Sequence, residues 1–524
     1  MRTFKALLAI FVVGILARVP TFCRPLLSDD EAIYATTADA LVRGDLLYRD
    51  AVDHKPPLIY HIYQAGFAAL GRYNTHGAHA LVILSVLLTA GFLFAMKWRE
   101  EATDAKGASL VAAGLFLIFS TTWHDYDALA ANCELFLLTP QAFAAWLLLR
   151  EISGQSRGVR AWATHLAVGV LIGTSALFKY QGLTFLGASI GLLVWLSILG
   201  RATWSRTAAM AVCHGVGALV PPALYLLWCK AAGNAAATVY WFGFNFSYVG
   251  AGLTGLAAVK RGLLRTGLVG GVAIVPYALG ISAAVAAAAG MVRALGRRSK
   301  NVEPAPSVVL GLLWLATSAA AVATGGRFFG HYFHLILAPL CLLAAPDFCR
   351  LWRKGRSYRV LLTLLCALPA LFFFGLATFA RPLAVALDES EPPYDDVAAR
   401  IAAITAPDER IFVWGNSPQL YVLARRSMGT RFSFCNYMTG ESPGTPTETG
   451  QWNADANQLP AAWDMLFADL ERRRPALFVD AAAAGWDGYD KFPIARYPRL
   501  RAYVDHNYRQ VEVRAGVVLY RRLP

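Results

Sequence analysis

The stretch SDDEAIYATTADALVRGDLLYRDAVDHKPPL, residues 28–58, lies between two apolar blocks at 4–22 and 78–96. Ser28 or Asp29 supplies a helix cap. Ile33, Tyr34, Thr37, Ala40 and Leu41 then recur at helical spacing until Gly44. Lys55-Pro56-Pro57 opens a second helical pattern over 58–70, with proline tolerated in its first turn. The pattern predicts two amphipathic helices lying along a membrane surface, carrying Asp30-Glu31 and Lys55-Pro56 at their starts. A plain connection between two spans needs neither.

The rest of the chain fits that frame. Of 524 residues, 56% are hydrophobic and 16% charged, with mean hydropathy +0.44, whereas a soluble domain carries about 25% charged residues. Disorder, a disulfide scaffold and an ordinary soluble enzyme all fit poorly. Eleven apolar runs are long enough to cross about 30 Å of hydrocarbon: 4–22, 78–96, 107–123, 132–149, 162–178, 183–200, 207–229, 267–291, 306–323, 332–348 and 359–380. Eight scattered cysteines include no CxxC pair, so they read as packing residues.

Charge gives the sidedness. The net +14 taken alone suggests a nucleic-acid binder, but residues 381–524 hold 17 basic and 18 acidic groups, so the whole excess lies in 1–380. Alternate loops there collect 19 basic residues on one side and 11 on the other. The positive-inside rule makes the first side cytoplasmic, with the N-terminus. The first run is not read as a cleaved signal, because Arg18 interrupts its end. An odd number of spans then leaves 381–524 outside. That tail has short β-like runs (410–414, 476–479, 511–520) between helical patterns (394–405, 418–425, 460–472) and reads as a small α/β domain. The expected division is therefore a membrane domain over 1–380, with its first outer loop at 23–77, and an extracytoplasmic domain over 381–524.

The acids are uneven too. Of 16 before residue 381, seven lie in the first outer loop and three (Asp125, Asp127 and Glu134) in the next. Solvated loops can carry them innocently; the sharper reading is a catalytic face at the outer surface.

The first loop resembles that of the GT-C glycosyltransferases, in the bacterial family 39/83 branch related to protein O-mannosyltransferases and the lipid A aminoarabinose transferase. The residues that carry the likeness are Asp30-Glu31, Tyr34, Gly44 to Tyr48, and Lys55-Pro56. ANCELFLLTP resembles the start of a later span where the family places a second acid, giving Glu134 beside Asn132, with Asp127 as the competing match. SALFKYQG resembles a turn between spans and gives Lys179; GGRFFGHYFHLILAPL resembles a late outer motif and gives Arg327, His331 and Tyr332. FVWGNSPQLYVLARR resembles the opening of the outer tail.

The resemblance implies a GT-C fold and an inverting transfer of sugar from a polyprenyl-phosphate carrier to an envelope lipid, glycan or protein hydroxyl. It also implies the inner membrane of a bacterium. Such a transfer needs a carboxylate to take the acceptor proton and cations to receive the departing phosphate. Asp30 is assigned as base, with Glu31 as helper and Glu134 as the second acid. Lys55, Lys179, Arg327 and His331 are assigned to the donor phosphate, and Tyr34, Tyr48, Asn132 and Tyr332 to substrate contacts. No cofactor is expected; three acids leave a divalent ion open without supporting one. The competing classes are a polyprenyl-lipid or sugar transporter or flippase, and a degenerate scaffold. Transporters keep ionisable groups near the bilayer midplane and often show repeats, whereas these acids lie at span ends.

Overall fold

The computed structural model describes residues 2–98, 105–122, 127–154, 158–250, 252–297, 304–386, 392–441 and 453–524. Asp125 lies outside them. Helices stand at all eleven expected positions: Arg2–Ala17, His76–Trp98, Ala105–Phe119, Cys133–Gly154, Val159–Ala176, Thr184–Ile198, Trp204–Ala232, Ile274–Arg297, Pro306–Ala323, His334–Arg353 and Arg356–Ala386. Among the described residues, nine helical segments are long and apolar enough to cross a membrane; Ala105–Phe119 is shorter, and Val159–Ala176 carries Arg160 and His165. The chain is a multi-pass membrane protein. The run expected at 267–291 is broken: helix Gly255–Val272 ends at Ala273 (φ −90°, ψ 42°), and a new helix starts at Ile274. Pro276 has no amide hydrogen to donate back across that junction.

Contacts divide the chain into two compact units. The first comprises Met1–Cys23, His79–Leu227 and Thr254–Ala380. Small residues let its helices approach closely, as bilayer packing requires. A Cβ on Gly169 would lie 2.8 Å from Gly217 Cα, so Val159–Ala176 and Trp204–Ala232 cross backbone to backbone. One turn away, His165 Nδ1 and His214 Nε2 are 3.0 Å apart, and His214 Nδ1 lies 3.1 Å from Ser189 Oγ.

The second unit comprises Arg24–Ala78, Trp228–Leu253 and Arg381–Pro524. Its four-stranded sheet runs β1-β2-β4-β3, with β1 Ile411–Trp414, β2 Leu477–Asp480, β3 Tyr508–Arg514 and β4 Val517–Arg522. β1 and β2 are parallel, Ile411 opposite Leu477, and β4 is antiparallel to both β2 and β3. The single run expected at 511–520 is thus a hairpin. Ala515 and Gly516 both take positive φ (49° and 82°), the twist-compatible two-residue turn. Ile411, Val413, Leu477, Val479 and Leu519 pack in one core with Val397, Ile401 and Leu420, joined by Ala40 and Ala51 of the first loop. Segment 24–78 therefore shares its core with the tail.

The first-loop helices form as expected, Asp29–Val42 and Leu58–Leu70. Ser28, extended at φ −153°, accepts from the Glu31 amide at 3.3 Å. Ten of the fourteen residues in Asp29–Val42 are buried. The side expected to be polar is itself covered: Asp39 accepts from Arg72 at 2.5 Å and from Ser427 at 2.7 Å, and Thr36 donates to the Pro418 carbonyl. Gly66 and Gly77 bring Leu58–Leu70 against the start of His76–Trp98.

Two outcomes follow from these contacts. Gly169→Leu has no space at the crossing and is expected to lose the monodisperse folded peak in detergent size-exclusion chromatography; an unchanged peak and melting temperature would contradict the close crossing. In the sheet unit, burial pushes Asp480 up to about 6, against the Ala482 and Ala483 amides that oppose the rise. The folded state then keeps a proton the unfolded chain has released, so stability falls as pH rises from about 4 to 6. Asp480→Asn should raise amide-exchange protection of β2 relative to wild type at pH 7.5, by on the order of 3 kcal/mol, and the difference should vanish below about pH 4.

Candidate active site

The second unit holds the first group of predicted residues. Asp30 and Glu31 are adjacent on a helix, so their side chains leave it about 100° apart. The fold uses that difference. Glu31 turns inward and is fully buried; its carboxylate accepts from the Leu27 amide at 2.7 Å and from the Tyr63 hydroxyl at 3.1 Å. Asp30 turns outward, with 27% of its side chain exposed, and pairs with Lys55 Nζ at 2.6 Å. Tyr34, one turn on, donates its hydroxyl to Asp30 at 3.2 Å, and its ring lies 4.6 Å below the Lys55 ammonium. Two charges and one aromatic face thus meet at the start of the helix.

Lys55 is held by its own turn. Tyr48 is buried at φ 68° and donates its hydroxyl to the Lys55 carbonyl at 2.7 Å. Its ring packs edge-on against Phe242 of helix Ala235–Gly250. Tyr48 therefore fixes the Lys55 turn from below. Asp53, absent from the sequence assignment, is its other support: it accepts from the Tyr60 hydroxyl at 2.6 Å and the His54 amide at 2.7 Å. Burial alone would raise the Asp53 pKa, but the His54 and Lys55 charges and these bonds hold it well below the usual carboxylate range. The sequence shows this residue only as one more loop acid.

The first unit holds the second group. Glu134, in the first turn of Cys133–Gly154, is buried and pairs with Lys179, which caps the turn before Thr184–Ile198. Burial opposes the Lys179 charge, but the Glu134 carboxylate outweighs it and keeps the amine protonated. The ammonium lies 3.9 Å above the Tyr332 ring. Asp127 is in the same cluster, so the two competing acids both take part. It accepts from the His331 amide at 3.0 Å and pairs with His331 Nδ1 at 2.8 Å. Asn132 donates to Asp127 at 3.1 Å. His331 Nε2 faces Glu134 at 3.9 Å.

Arg18 buttresses the cluster. It is 1% exposed and donates to the Ser120 carbonyl at 3.1 Å and to the Ala128 carbonyl at 3.4 Å. Thr21 donates to the Leu129 carbonyl at 3.1 Å. The segment after Asp127 is therefore tied to the end of the first span. The same unit gathers positive charge elsewhere: buried Arg327, at the turn before His331, joins Arg261 and Arg265 of helix Gly255–Val272, whose like charges act on one another. The sequence assignment includes Arg327 and omits the other two, since only the broken helix brings them together. Among the described residues, no group of three or more His, Cys, Asp or Glu is placed to hold a metal ion.

The same fold is found in solved structures of other proteins. The solved structures sharing it include ArnT from Cupriavidus metallidurans bound to undecaprenyl phosphate: TM-score 0.63, 15% identity, 98% of this chain and 97% of that one covered. They also include the archaeal oligosaccharyltransferase AglB from Archaeoglobus fulgidus, in complex with an inhibitory peptide and a dolichol-phosphate: TM-score 0.56, 12% identity, 100% and 74% covered. No protein-family model and no curated protein sequence matches the chain.

The Asp53 network gives a measurable coupling. In the full chain, Asp53→Asn and Tyr60→Phe should be non-additive by about 1 kcal/mol in a double-mutant cycle of unfolding free energies. Additive effects would show that the 2.6 Å contact carries no coupling.

Proposed function

We propose that this chain is an integral-membrane glycosyltransferase that moves a hexosyl or pentosyl group from a polyprenyl-phosphate donor to an envelope acceptor: lipid A or another glycolipid, a glycan, or a protein hydroxyl. The reaction takes place on the extracytoplasmic side of a bacterial inner membrane, with the N-terminus cytoplasmic and the tail outside. The observation that carries this reading is the outward-facing Asp30–Lys55 pair at 2.6 Å, in a GT-C fold whose other compact unit holds a second buried carboxylate–ammonium pair, Glu134–Lys179.

The chemistry follows from those groups. The acceptor oxygen attacks the anomeric carbon and gives its proton to Asp30. The anomeric carbon–oxygen bond breaks, and its electrons pass to the polyprenyl phosphate. Lys55 is the cation that exchanges Asp30 for the donor phosphate. In the other unit, Lys179, Arg327 and His331, joined by Arg261 and Arg265, gather positive charge of the kind an anion needs. Glu31, Tyr48 and Asn132 act through others: Glu31 sets the helix start, Tyr48 sets the Lys55 turn, and Asn132 orients Asp127. Tyr34 and Tyr332 lay aromatic faces beside Lys55 and Lys179, where a sugar ring can also rest.

The test is transfer by the purified protein, using undecaprenyl-phosphate-linked mannose, galacturonic acid, aminoarabinose and arabinose with an envelope lipid and glycan extract. Asp30→Asn is expected to lower kcat by about 10²–10⁴-fold. Lys55→Met should chiefly raise the KM for the donor. If both variants transfer as well as wild type, the assignment fails. Movement of donor across proteoliposomes without any transfer product would favour a flippase instead.

A further inference from the structure

Asp30 stands at the start of helix Asp29–Val42, and the far end of that helix carries a cluster that sugar transfer does not use. Arg43 caps that end. At about 1.5 Å per residue it lies about 20 Å from Asp30. Arg72 follows Leu58–Leu70, Arg410 precedes β1, and Arg425 caps the short helix Gln419–Ala424. All four belong to the second unit. Arg43 Nη1 donates to Ser427 Oγ at 3.0 Å, and Arg72 Nη2 donates to the same oxygen at 3.1 Å. Arg410 Nη1 donates to the Met428 carbonyl at 2.9 Å, and Arg425 Nη2 to the Arg72 carbonyl at 3.4 Å. Four guanidiniums thus meet around the turn at 425–428.

The acceptors they find are few. Asp39 is the one carboxylate, among the described residues, hydrogen-bonded to any of the four. It is already bound by Arg72 through Nε at 2.8 Å and Nη2 at 2.5 Å, and by the Ser427 hydroxyl at 2.7 Å. Ser427 gives its only proton to Asp39, so its oxygen can only accept from the rest. Three donors press on it: Arg43, Arg72 and the Tyr73 hydroxyl at 3.2 Å. Asp45 is the next carboxylate, and Arg473 faces it at 3.8 Å. Arg43, Arg410 and Arg425 are therefore met by neutral oxygens alone among the described residues. Burial and the like charges of Arg43 and Arg473 push the Arg410 pKa down, with Asp45 and Asp39 opposing them. A helix C-terminus favours one nearby cation, which accounts for Arg43 and Arg425 singly. It does not account for Arg72 and Arg410 at the same turn. Arg43 and Arg425 are exposed, as is 39% of the Arg72 side chain, so the cluster is open to solvent.

We propose that the Arg43–Arg72–Arg410–Arg425 cluster is a second anion site that binds a phosphate group, separate from the place where the sugar donor reacts. Guanidinium forks grip phosphate oxygens two at a time. A phosphate monoester carries about −1.5 to −2 at neutral pH, which answers both the surplus of donors and the surplus of charge. Arg43 and Arg425 supply the forks that solvent reaches. Arg410, partly buried, adds charge. Arg72 stays on Asp39 and sets the turn. With the site about 20 Å along the helix from Asp30, a phosphate held there leaves Asp30 to its own reaction. The same group arrives on a lipid headgroup or from solution, and two arms of one experiment separate these sources. The site is read by binding alone, so its test stands apart from sugar transfer.

Hydrogen–deuterium exchange of the purified full-length chain locates the binding. In maltoside detergent, inorganic phosphate is titrated at constant ionic strength. It is expected to protect peptides covering 40–46, 71–75 and 425–430, and the titration gives a Kd. In the second arm the chain sits in nanodiscs of phosphatidylglycerol or of phosphatidylcholine, without added phosphate. Protection of those peptides in phosphatidylglycerol assigns the site to a lipid headgroup; protection by inorganic phosphate alone assigns it to a phosphate from solution. Arg43→Gln combined with Arg425→Gln should weaken the Kd by at least about tenfold. Arg496→Gln combined with Arg499→Gln removes the same charge from the same unit and should leave the Kd within about twofold, because exposed charges that are not in contact are screened. Should the first double variant lose its monodisperse peak, Arg425→Gln alone carries the comparison, since its side chain donates to a single carbonyl. Wild type unprotected in both arms overturns the proposal. So does a Kd unchanged in the folded Arg43 and Arg425 variant. An equal loss in the Arg496 and Arg499 variant also overturns it, because net charge alone then explains the binding.

Discussion

A carboxylate that leaves water must be met by a cation or by several donors. In this fold that constraint decides where the helix starts go. Glu134 is 1% exposed and its partner Lys179 is 8% exposed, so neither has bulk solvent to fall back on. Removing one partner of a buried pair typically costs about 3–5 kcal/mol, because the other charge remains. The pair therefore ties the start of Cys133–Gly154 to the turn ahead of Thr184–Ile198. His331 and Asp127 add the entry to His334–Arg353 and the end of the preceding loop. Arg18 solves the same problem with dipoles: it is surrounded by the carbonyls of Ser120, Ala128 and Leu129. His334 completes that layer, its ring nitrogens lying against the His331 and Ser120 carbonyls, one of which receives its N–H. The groups proposed to act in this unit are also the ones that satisfy its helix ends.

The second unit meets the constraint with soluble-protein means. Asp39 sits in a helix almost wholly covered, and the tail supplies Ser427 for it while the first loop supplies Arg72. Asp29 is met by Gln419 at 2.5 Å, and Arg473 reaches the Asp50 carbonyl at 3.0 Å. Val52 extends the backbone pairing to Phe432 and Arg431. The sheet thus acts as the solid floor on which the Asp30 helix and the Lys55 turn are laid. That is why a loop of small and polar residues, with few of the large apolar groups that would let it pack alone, takes one defined shape.

What was legible in the sequence follows from range. Local signals were strong: Ser28 as cap, Gly44 as stop, Pro56-Pro57 as start, and the apolar runs for the spans. The tail helices Tyr394–Ile404 and Pro460–Arg473 came out within a residue or so of their patterns. The aromatic stretch around Trp241 lies in helix Ala235–Gly250, and Trp241 packs on Tyr437, nearly two hundred positions away. The Arg261, Arg265 and Arg327 grouping was hidden by the misplaced span, since a helix over 267–291 leaves the two arginines in a loop. Asp53 carries no motif; its burial comes from Tyr60 one turn into the next helix and from Tyr437 in the tail. In each case the missing information is a long-range partner, which spacing cannot encode.

The phase of a single helix turn shows how little separates a structural acid from an available one. Ser28 as cap fixes which residue is the third along, and the Glu31 amide is the one it accepts. With the cap one residue earlier, Asp30 would take the inward place now held by Glu31. Its shorter side chain would fall one methylene short of the Tyr63 hydroxyl, which Glu31 reaches at 3.1 Å. Glu31 spans that gap while also receiving the Leu27 amide, so the longer acid is the one suited to burial. The shorter acid then faces outward on a stem with fewer rotamers, held by Tyr34 and Lys55. A base must present its lone pair at a defined place, and a short carboxylate with two fixed contacts does so with less entropy to lose than a glutamate. The order Asp then Glu, read from the helix start, therefore supports Asp30 as the residue that meets the acceptor and Glu31 as the residue that holds the helix for it.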